Sequence, residues 1–109
     1  MNIISEIRKI LKLLGWSVDN IVHSNDRVKY PRAGYMPESM GGHSVLYIKG
    51  GMTALARWGL FEIIMHEMAH YNLKKRGYKN WKEHDEEFMR EYFKIRKKYE
   101  KLINEYDKR

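Results

Sequence analysis

The chain has 109 residues, 43% apolar and 13% aromatic, which suits one small globular domain over residues 1–109 and excludes two. It contains no cysteine, so disulfides, thiolate nucleophiles and zinc sites built on cysteine are excluded. The formal net charge is +7, and residues 74–109 hold 13 basic side chains against 8 acidic ones, which concentrates the positive charge in the C-terminal third. Such a field favours polyanions such as nucleic acid.

The first half of the chain predicts one helix and a small sheet. Apolar residues recur at helical spacing over residues 2–14, so we expect an amphipathic helix that stops at Gly15. Short β-type runs at Val28–Tyr30 and Ser44–Ile48 predict two or three strands, with a turn at Gly41–Gly42. No stretch has the continuous apolar character of a signal peptide or a membrane span, so we expect a cytoplasmic protein.

The second half predicts two long helices. Thr53 is expected to cap a helix that runs to Arg76, where Gly77 offers a left-handed C-terminal position. Its middle is apolar nearly all round, as in a helix buried at the centre of a domain. Asn80 and Glu83 predict the start of a last helix, and the fold is therefore α+β with three main helices. The apolar stripe of this last helix is expected to face inward and comprises Phe88, Tyr92, Ile95, Tyr99, Leu102 and Tyr106.

The central helix carries the segment HEMAH, which contains His66, Glu67 and His70. Four residues is slightly more than one helical turn, so the two imidazoles project from one face and can hold one metal ion. Glu67 points beside the first ligand, where a carboxylate takes a proton from an attacking water. The alternative is a hydrogen-bonded structural cluster without a metal.

A catalytic zinc needs a third protein ligand and keeps a fourth position for water. His84 is the best candidate, because it lies one turn before Phe88 on the inward stripe of the last helix. A carboxylate is an equally good third ligand, and Asp85, Glu87 and Glu91 lie near the same face. A surface position for His84 is the competing interpretation.

Other polar residues near this segment have less specific roles. Glu62, one turn before His66, either orients a ligand imidazole or forms a salt bridge. His23 and His43 have no ligand spacing and are expected in loops or strands. The strand at Ser44–Ile48 is expected to be a sheet edge that binds extended substrate. Candidates for stabilising an oxyanion are Tyr71, Tyr78, Tyr92 and His43.

The segment Glu62–His70, EIIMHEMAH, together with His84 and Phe88, resembles the SprT-like zincin metalloproteases. A weaker likeness extends upstream to Ala33. The resemblance implies a zincin-like fold, with His66, His70 and His84 as zinc ligands and Glu67 as general base. It also implies degradation of proteins bound or crosslinked to DNA. The 109 residues depart from the pattern of the fuller members of that family, because they contain no cysteine for a zinc ribbon.

A second resemblance is to the minimal gluzincins, in which a Glu on the last helix, here Glu87 or Glu91, completes the site. The sequence as a whole favours a zinc-dependent peptidase with one zinc per chain and a protein substrate. Two alternatives stay open. One is a zinc-binding scaffold or a latent enzyme, in which the C-terminal residues cover the cleft. The other is a non-catalytic nucleic-acid-binding module that uses the basic run Lys94, Arg96, Lys97, Lys98 and Lys101.

Overall fold

The computed structural model describes residues 2–25, 31–39 and 42–107. Over these residues it has five helices and one three-stranded mixed sheet, which confirms the predicted small α+β class but gives five helices where three main ones were expected. The elements in chain order are α1 (Ile3–Leu14), β1 (Asn20–Ser24), β2 (Arg32–Ser39), β3 (His43–Lys49), α2 (Met52–Trp58), α3 (Leu60–Lys75), α4 (Glu86–Lys98) and α5 (Glu100–Asp107).

The sheet has the strand order β1-β3-β2, with β3 parallel to β1 and antiparallel to β2. The expectation that Ser44–Ile48 forms a sheet edge is therefore wrong, because β3 has a hydrogen-bonded partner on each side. The expected run Val28–Tyr30 lies outside the described residues, as does Gly41 of the expected turn. Alternation of buried and exposed residues could not distinguish a central strand from an edge strand here, since that depends on pairing with distant segments.

Strand β2 was not predicted, because it contains Gly34 and Pro37, which read locally as loop residues. Its pairing with β3 explains the glycine. Gly34 lies opposite Tyr47 in the register, and a Cβ at position 34 would overlap the Tyr47 ring. The glycine therefore gives the tyrosine ring room to lie across the neighbouring strand.

The first helix agrees with the sequence prediction. The Asn2 side chain accepts a hydrogen bond from the backbone N–H of Ser5 at 3.2 Å and caps the start of α1. Gly15 ends the helix with φ 66°, a left-handed conformation that favours glycine. The apolar face of α1 packs against α3 and β1 and is buried at Ile3, Ile7, Ile10, Leu11 and Leu14.

The predicted continuous helix from Thr53 to Arg76 is wrong, because Gly59 divides it. Helix α2 begins after Gly51 and ends at Trp58, and Gly59 then adopts φ 82° and ψ 98° before α3 begins at Leu60. Helical backbone needs negative φ, so this residue breaks the hydrogen-bond ladder and turns the chain. The C-terminal end was predicted correctly, since Arg76 caps α3.

The start of the last helix was also placed wrongly. Asp85, rather than Asn80, is the N-cap of α4, and its Oδ1 accepts a hydrogen bond from the Phe88 N–H at 3.1 Å. The predicted single helix is interrupted at Tyr99, after which α5 begins. Of the predicted inward stripe, Phe88 and Ile95 are buried, whereas in α5 the buried residue is Ile103 and the predicted Leu102 and Tyr106 pack partly buried against the core.

Helix α3 lies at the centre of the domain and packs against α1, α2, α4 and β2. Its apolar residues join the main hydrophobic core, which includes Phe61, Ile64, Met65, Ala69 and Leu73. Among the described residues, no helix combines the length and apolar character needed to cross a membrane. The expected cytoplasmic location stays a prediction.

Candidate metal centre

Helix α3 places His66 and His70 on one face. They are four residues apart, so successive turns present both imidazoles in the same direction, and their ring centres are 5.1 Å apart. His70 is buried and His66 is partly exposed. The helix therefore fixes two potential ligands through its backbone geometry.

The third histidine comes from the connection between α3 and α4. His84 directly precedes the N-cap Asp85 and so lies outside the helix on which it was predicted. Its Nε2 atom nevertheless lies 3.0 Å from His66 Nε2 and 3.2 Å from His70 Nε2. One ligand atom from each of the three histidines lies within 4.8 Å of the others.

These distances fit a shared metal ion. Two imidazole nitrogens on one tetrahedral zinc would be about 3.3 Å apart, given Zn–N bonds of about 2.0–2.1 Å. The observed separations of 3.0 and 3.2 Å are close to that value. The three histidines therefore form a group that could hold a metal ion, as the sequence analysis expected for these residues.

The two imidazoles on α3 are held in the neutral form that binds metals. The Nδ1 atom of His70 lies 2.7 Å from the Trp81 carbonyl oxygen, which only accepts hydrogen bonds, so Nδ1 carries the proton and Nε2 presents a lone pair to the group. Burial lowers the pKa of His70. Burial, together with the neighbouring His70 and His84, lowers the pKa of His66 to about 4. His66 and His70 are therefore neutral at neutral pH.

The Phe88 ring packs against all three imidazoles. Its centre lies 4.8 Å from the His66 ring, 4.5 Å from His70 and 4.9 Å from His84, and it stacks on His70 with 17° between the planes. Phe88 is buried in the core. The apolar ring restricts the rotation of the ligands and keeps water away from one side of the group.

Glu67 lies beside the group without belonging to it. Its Oε2 is 4.0 Å from His66 Nε2, and the side chain is buried. Burial raises the pKa of Glu67 to about 7. A carboxyl group with such a pKa can both accept and return a proton near neutral pH. The position is the one that the sequence predicted for a general base.

The carboxylates considered as rival ligands are engaged elsewhere. Asp85 caps α4, Glu87 bonds Arg90 at 2.7 Å, and buried Glu91 pairs with Arg76 at 3.4 Å. In the described part of the chain, the group that could hold a metal ion contains histidines alone. The geometry therefore favours His84 over Glu87 or Glu91 as the third ligand.

Glu62 forms an ion pair with Arg96, at 2.7 Å between Oε1 and Nη1. Of the two interpretations left open, the contacts support the salt bridge. His23 lies on β1 with its Nε2 3.0 Å from the Gly50 carbonyl oxygen, and His43 lies on β3 with its Nδ1 3.9 Å from an Asp19 carboxylate oxygen.

The tyrosines considered for oxyanion binding occupy different environments. Tyr71 packs against the Trp16 ring at 5.3 Å, and the Tyr78 hydroxyl donates to an Asp85 oxygen at 2.6 Å. Tyr92 lies nearest to the centre by ring contact, 6.3 Å from His66, and its hydroxyl accepts a hydrogen bond from Arg96 at 3.4 Å.

Sequence reasoning missed the support given by the connection between α3 and α4. The Trp81 carbonyl and the Tyr78–Asp85 hydrogen bond follow no helical or strand periodicity. The spacing of His84 and Phe88 was the one visible signal that this region approaches α3.

No protein-family model matches the chain, and comparisons with curated proteins and with solved structures return no significant match. The resemblance to SprT-like metalloproteases therefore stays a prediction. The candidate metal centre is supported by the geometry of this chain.

Proposed function

We propose that this protein is a zinc-dependent metallopeptidase that hydrolyses peptide bonds in protein substrates. One observation carries the proposal. The nitrogens of His66, His70 and His84 converge, and the buried carboxylate of Glu67 lies beside them. Three imidazoles with a free fourth position are a donor set for catalytic zinc, one ion per chain.

The residues of the centre would divide the work as follows. Bound zinc lowers the pKa of a water molecule and polarises a carbonyl oxygen. The three histidines would hold the ion, and Phe88 would keep their rings in place. Glu67 would accept a proton from the attacking water and pass it to the leaving amine, a role that suits its buried position beside the histidines.

An extended substrate would bind along β2 rather than β3. Strand β3 is central, whereas β2 pairs on one side alone within the described residues, and it packs against α3. A peptide that added a strand to β2 would lie beside the helix that carries His66 and His70. This edge replaces the one expected from the sequence.

Contact with DNA stays a prediction. Within the basic run, Arg96 is engaged by Glu62, at 2.7 Å between Nη1 and Oε1. No specific contact thus favours a nucleic-acid-binding module as a second function, and the degradation of DNA-bound proteins that the resemblance implies stays a prediction too.

Zinc content and casein cleavage test the proposal together. The wild type should hold about one zinc per chain and cleave unfolded casein. Glu67→Gln should keep the metal and lose cleavage by about 100-fold to 10,000-fold, the usual contribution of a general base. Glu105→Gln, an exposed residue on α5, is the matched control and should cleave normally.

Two results would contradict the proposal in different ways. A wild type that binds no zinc would remove the metal centre. Undiminished cleavage by Glu67→Gln would remove this residue as the base and leave the metal centre in place.

A further inference from the structure

The connection between α3 and α4, residues 76–85, contains a hydrogen bond next to the third histidine. The Tyr78 hydroxyl donates to Asp85 Oδ2 at 2.6 Å, while Asp85 Oδ1 accepts from the Phe88 N–H at 3.1 Å. One carboxylate thus joins the middle of the connection to the first turn of α4. His84 precedes this carboxylate by one residue, and Phe88 is the ring on which the imidazoles rest.

We propose that Tyr78 is a positioning residue of the metal centre, which acts through Asp85 to hold the His84 imidazole against His66 and His70. This inference rests on the metal centre of the proposed function and is independent of peptide hydrolysis. Tyr78 touches neither the ion nor the substrate in this role.

The need for such a residue follows from how the three histidines are supported. His66 and His70 extend from a helix that the hydrophobic core holds in place through its apolar residues. His84 lies outside the regular helix and is exposed, and fixing an exposed side chain costs conformational entropy. A connection that is already held in place reduces the part of this cost that metal binding must supply.

The same connection also fixes His70, since the Trp81 carbonyl accepts its Nδ1–H at 2.7 Å. The Trp81 ring is contacted by the ammonium groups of Lys74 at 5.6 Å and Lys82 at 5.3 Å, which favours one position of the residue. The connection therefore supports two of the three ligands. The variant Tyr78→Phe tests this support most directly, because it removes the hydroxyl and keeps the ring.

The zinc dissociation constant, measured by competition with a chelator, is the first measurement. Tyr78→Phe should weaken zinc binding about 10-fold to 100-fold, the range for partners that orient metal ligands. Asp85→Ser retains an oxygen that caps α4 but removes the Tyr78 partner, and it should weaken binding to a similar extent. Tyr99→Phe is the control. It loses a hydrogen bond to the Leu14 carbonyl, so it should unfold more easily and bind zinc normally.

A double-mutant cycle separates positioning from general destabilisation. In the His84→Ala background, Tyr78→Phe should weaken zinc binding much less than it does in the wild type, because the ligand that it positions through Asp85 is gone. The absorption spectrum of the cobalt-substituted protein should change in Tyr78→Phe and stay unchanged in Tyr99→Phe.

The outcomes distinguish this inference from the proposed function. Wild-type zinc affinity in Tyr78→Phe, or an equal loss with and without His84, would overturn the inference alone. A wild type that binds no zinc would overturn it together with the metal centre. Tyr78-dependent zinc binding without casein cleavage would support the inference and refute the peptidase.

Discussion

Helix α3 and the connection that follows it build the same site by different means. In α3, the helical repeat places His66 and His70 side by side, and the core holds the helix. In the connection, His84 has no such repeat, and the Asp85 carboxylate that follows it accepts hydrogen bonds from the Tyr78 hydroxyl and the Phe88 N–H. Secondary structure therefore positions His66 and His70, whereas tertiary contacts position His84.

This difference teaches where the centre depends on its surroundings. The helical pair keeps its geometry as long as α3 folds. By our proposal, His84 keeps its position only while the hydrogen bonds to Asp85 hold the connection against α4. Changes to the connection should therefore affect the metal more than the fold, whereas changes within α3 should affect both.

Removal of a ligand is the largest expected effect and tests whether both parts contribute. If three histidines share a zinc-binding free energy of about 12 kcal/mol equally, each alanine substitution costs about 4 kcal/mol, close to a 1000-fold loss of affinity. His66→Ala, His70→Ala and His84→Ala should each show such a loss in a chelator competition. His23→Ala, whose Nε2 contacts the Gly50 carbonyl oxygen, should bind zinc normally.

Unequal results would break the comparison. Wild-type affinity in His84→Ala would mean that the connection supplies no ligand. Glu87→Ala and Glu91→Ala would then be the variants to measure, because a carboxylate would have to complete the site.

The sequence predicted the parts of the site that depend on short-range order. The spacing of His66, Glu67 and His70 was sufficient to place them on one helix, and its apolar surroundings indicated burial. His84 was predicted as a ligand through its spacing to Phe88. Its location on a helix was wrong, because the side chain of Asp85, two residues after Glu83, caps α4 instead.

The features that the sequence did not reveal depend on distant partners. The break at Gly59 interrupts an otherwise helical pattern at a single residue. The central position of β3 depends on β1 and β2, which lie earlier in the chain and carry weak strand signals. The contacts of Tyr78 and Trp81 span seven and eleven residues through irregular backbone, for which sequence has no periodic signal.

The second-largest expected effect is on the stability of the metal-free protein. It tests how much the burial of Glu67 in α3 destabilises the fold. Burial raises the pKa of Glu67 from 4.5 to about 7 in the folded state. Its contribution to stability is therefore fully present below pH 4.5 and is lost as the pH rises through 7. Glu67→Gln lacks this loss, so its stability relative to wild type should increase with pH, to about 3 kcal/mol above pH 8.

Denaturant unfolding from pH 4.5 to 8.5 in the presence of a chelator measures this difference. His66 has the opposite pH dependence, since its lowered pKa removes stability as the pH falls below 6.5. That contribution is common to both proteins and cancels in the comparison. The free energy of unfolding of Glu105→Gln should equal that of the wild type at every pH. If the difference between Glu67→Gln and the wild type does not change with pH, the Glu67 carboxyl group is hydrated in the folded state.

The smallest expected effect tests whether the histidines on α3 also depend on side-chain hydrogen bonds, as we propose for His84 in the connection. Glu62 lies one turn before His66, but its carboxylate bonds Arg96 at 2.7 Å. The two side chains are 42% and 37% exposed, so the pair should contribute less than about 1 kcal/mol to stability and weaken in high salt. Glu62→Gln should therefore bind zinc within about twofold of the wild type, below the range for partners that orient ligands. A tenfold loss would mean that Glu62 orients His66, and α3 would then depend on side-chain support in the same way as the connection.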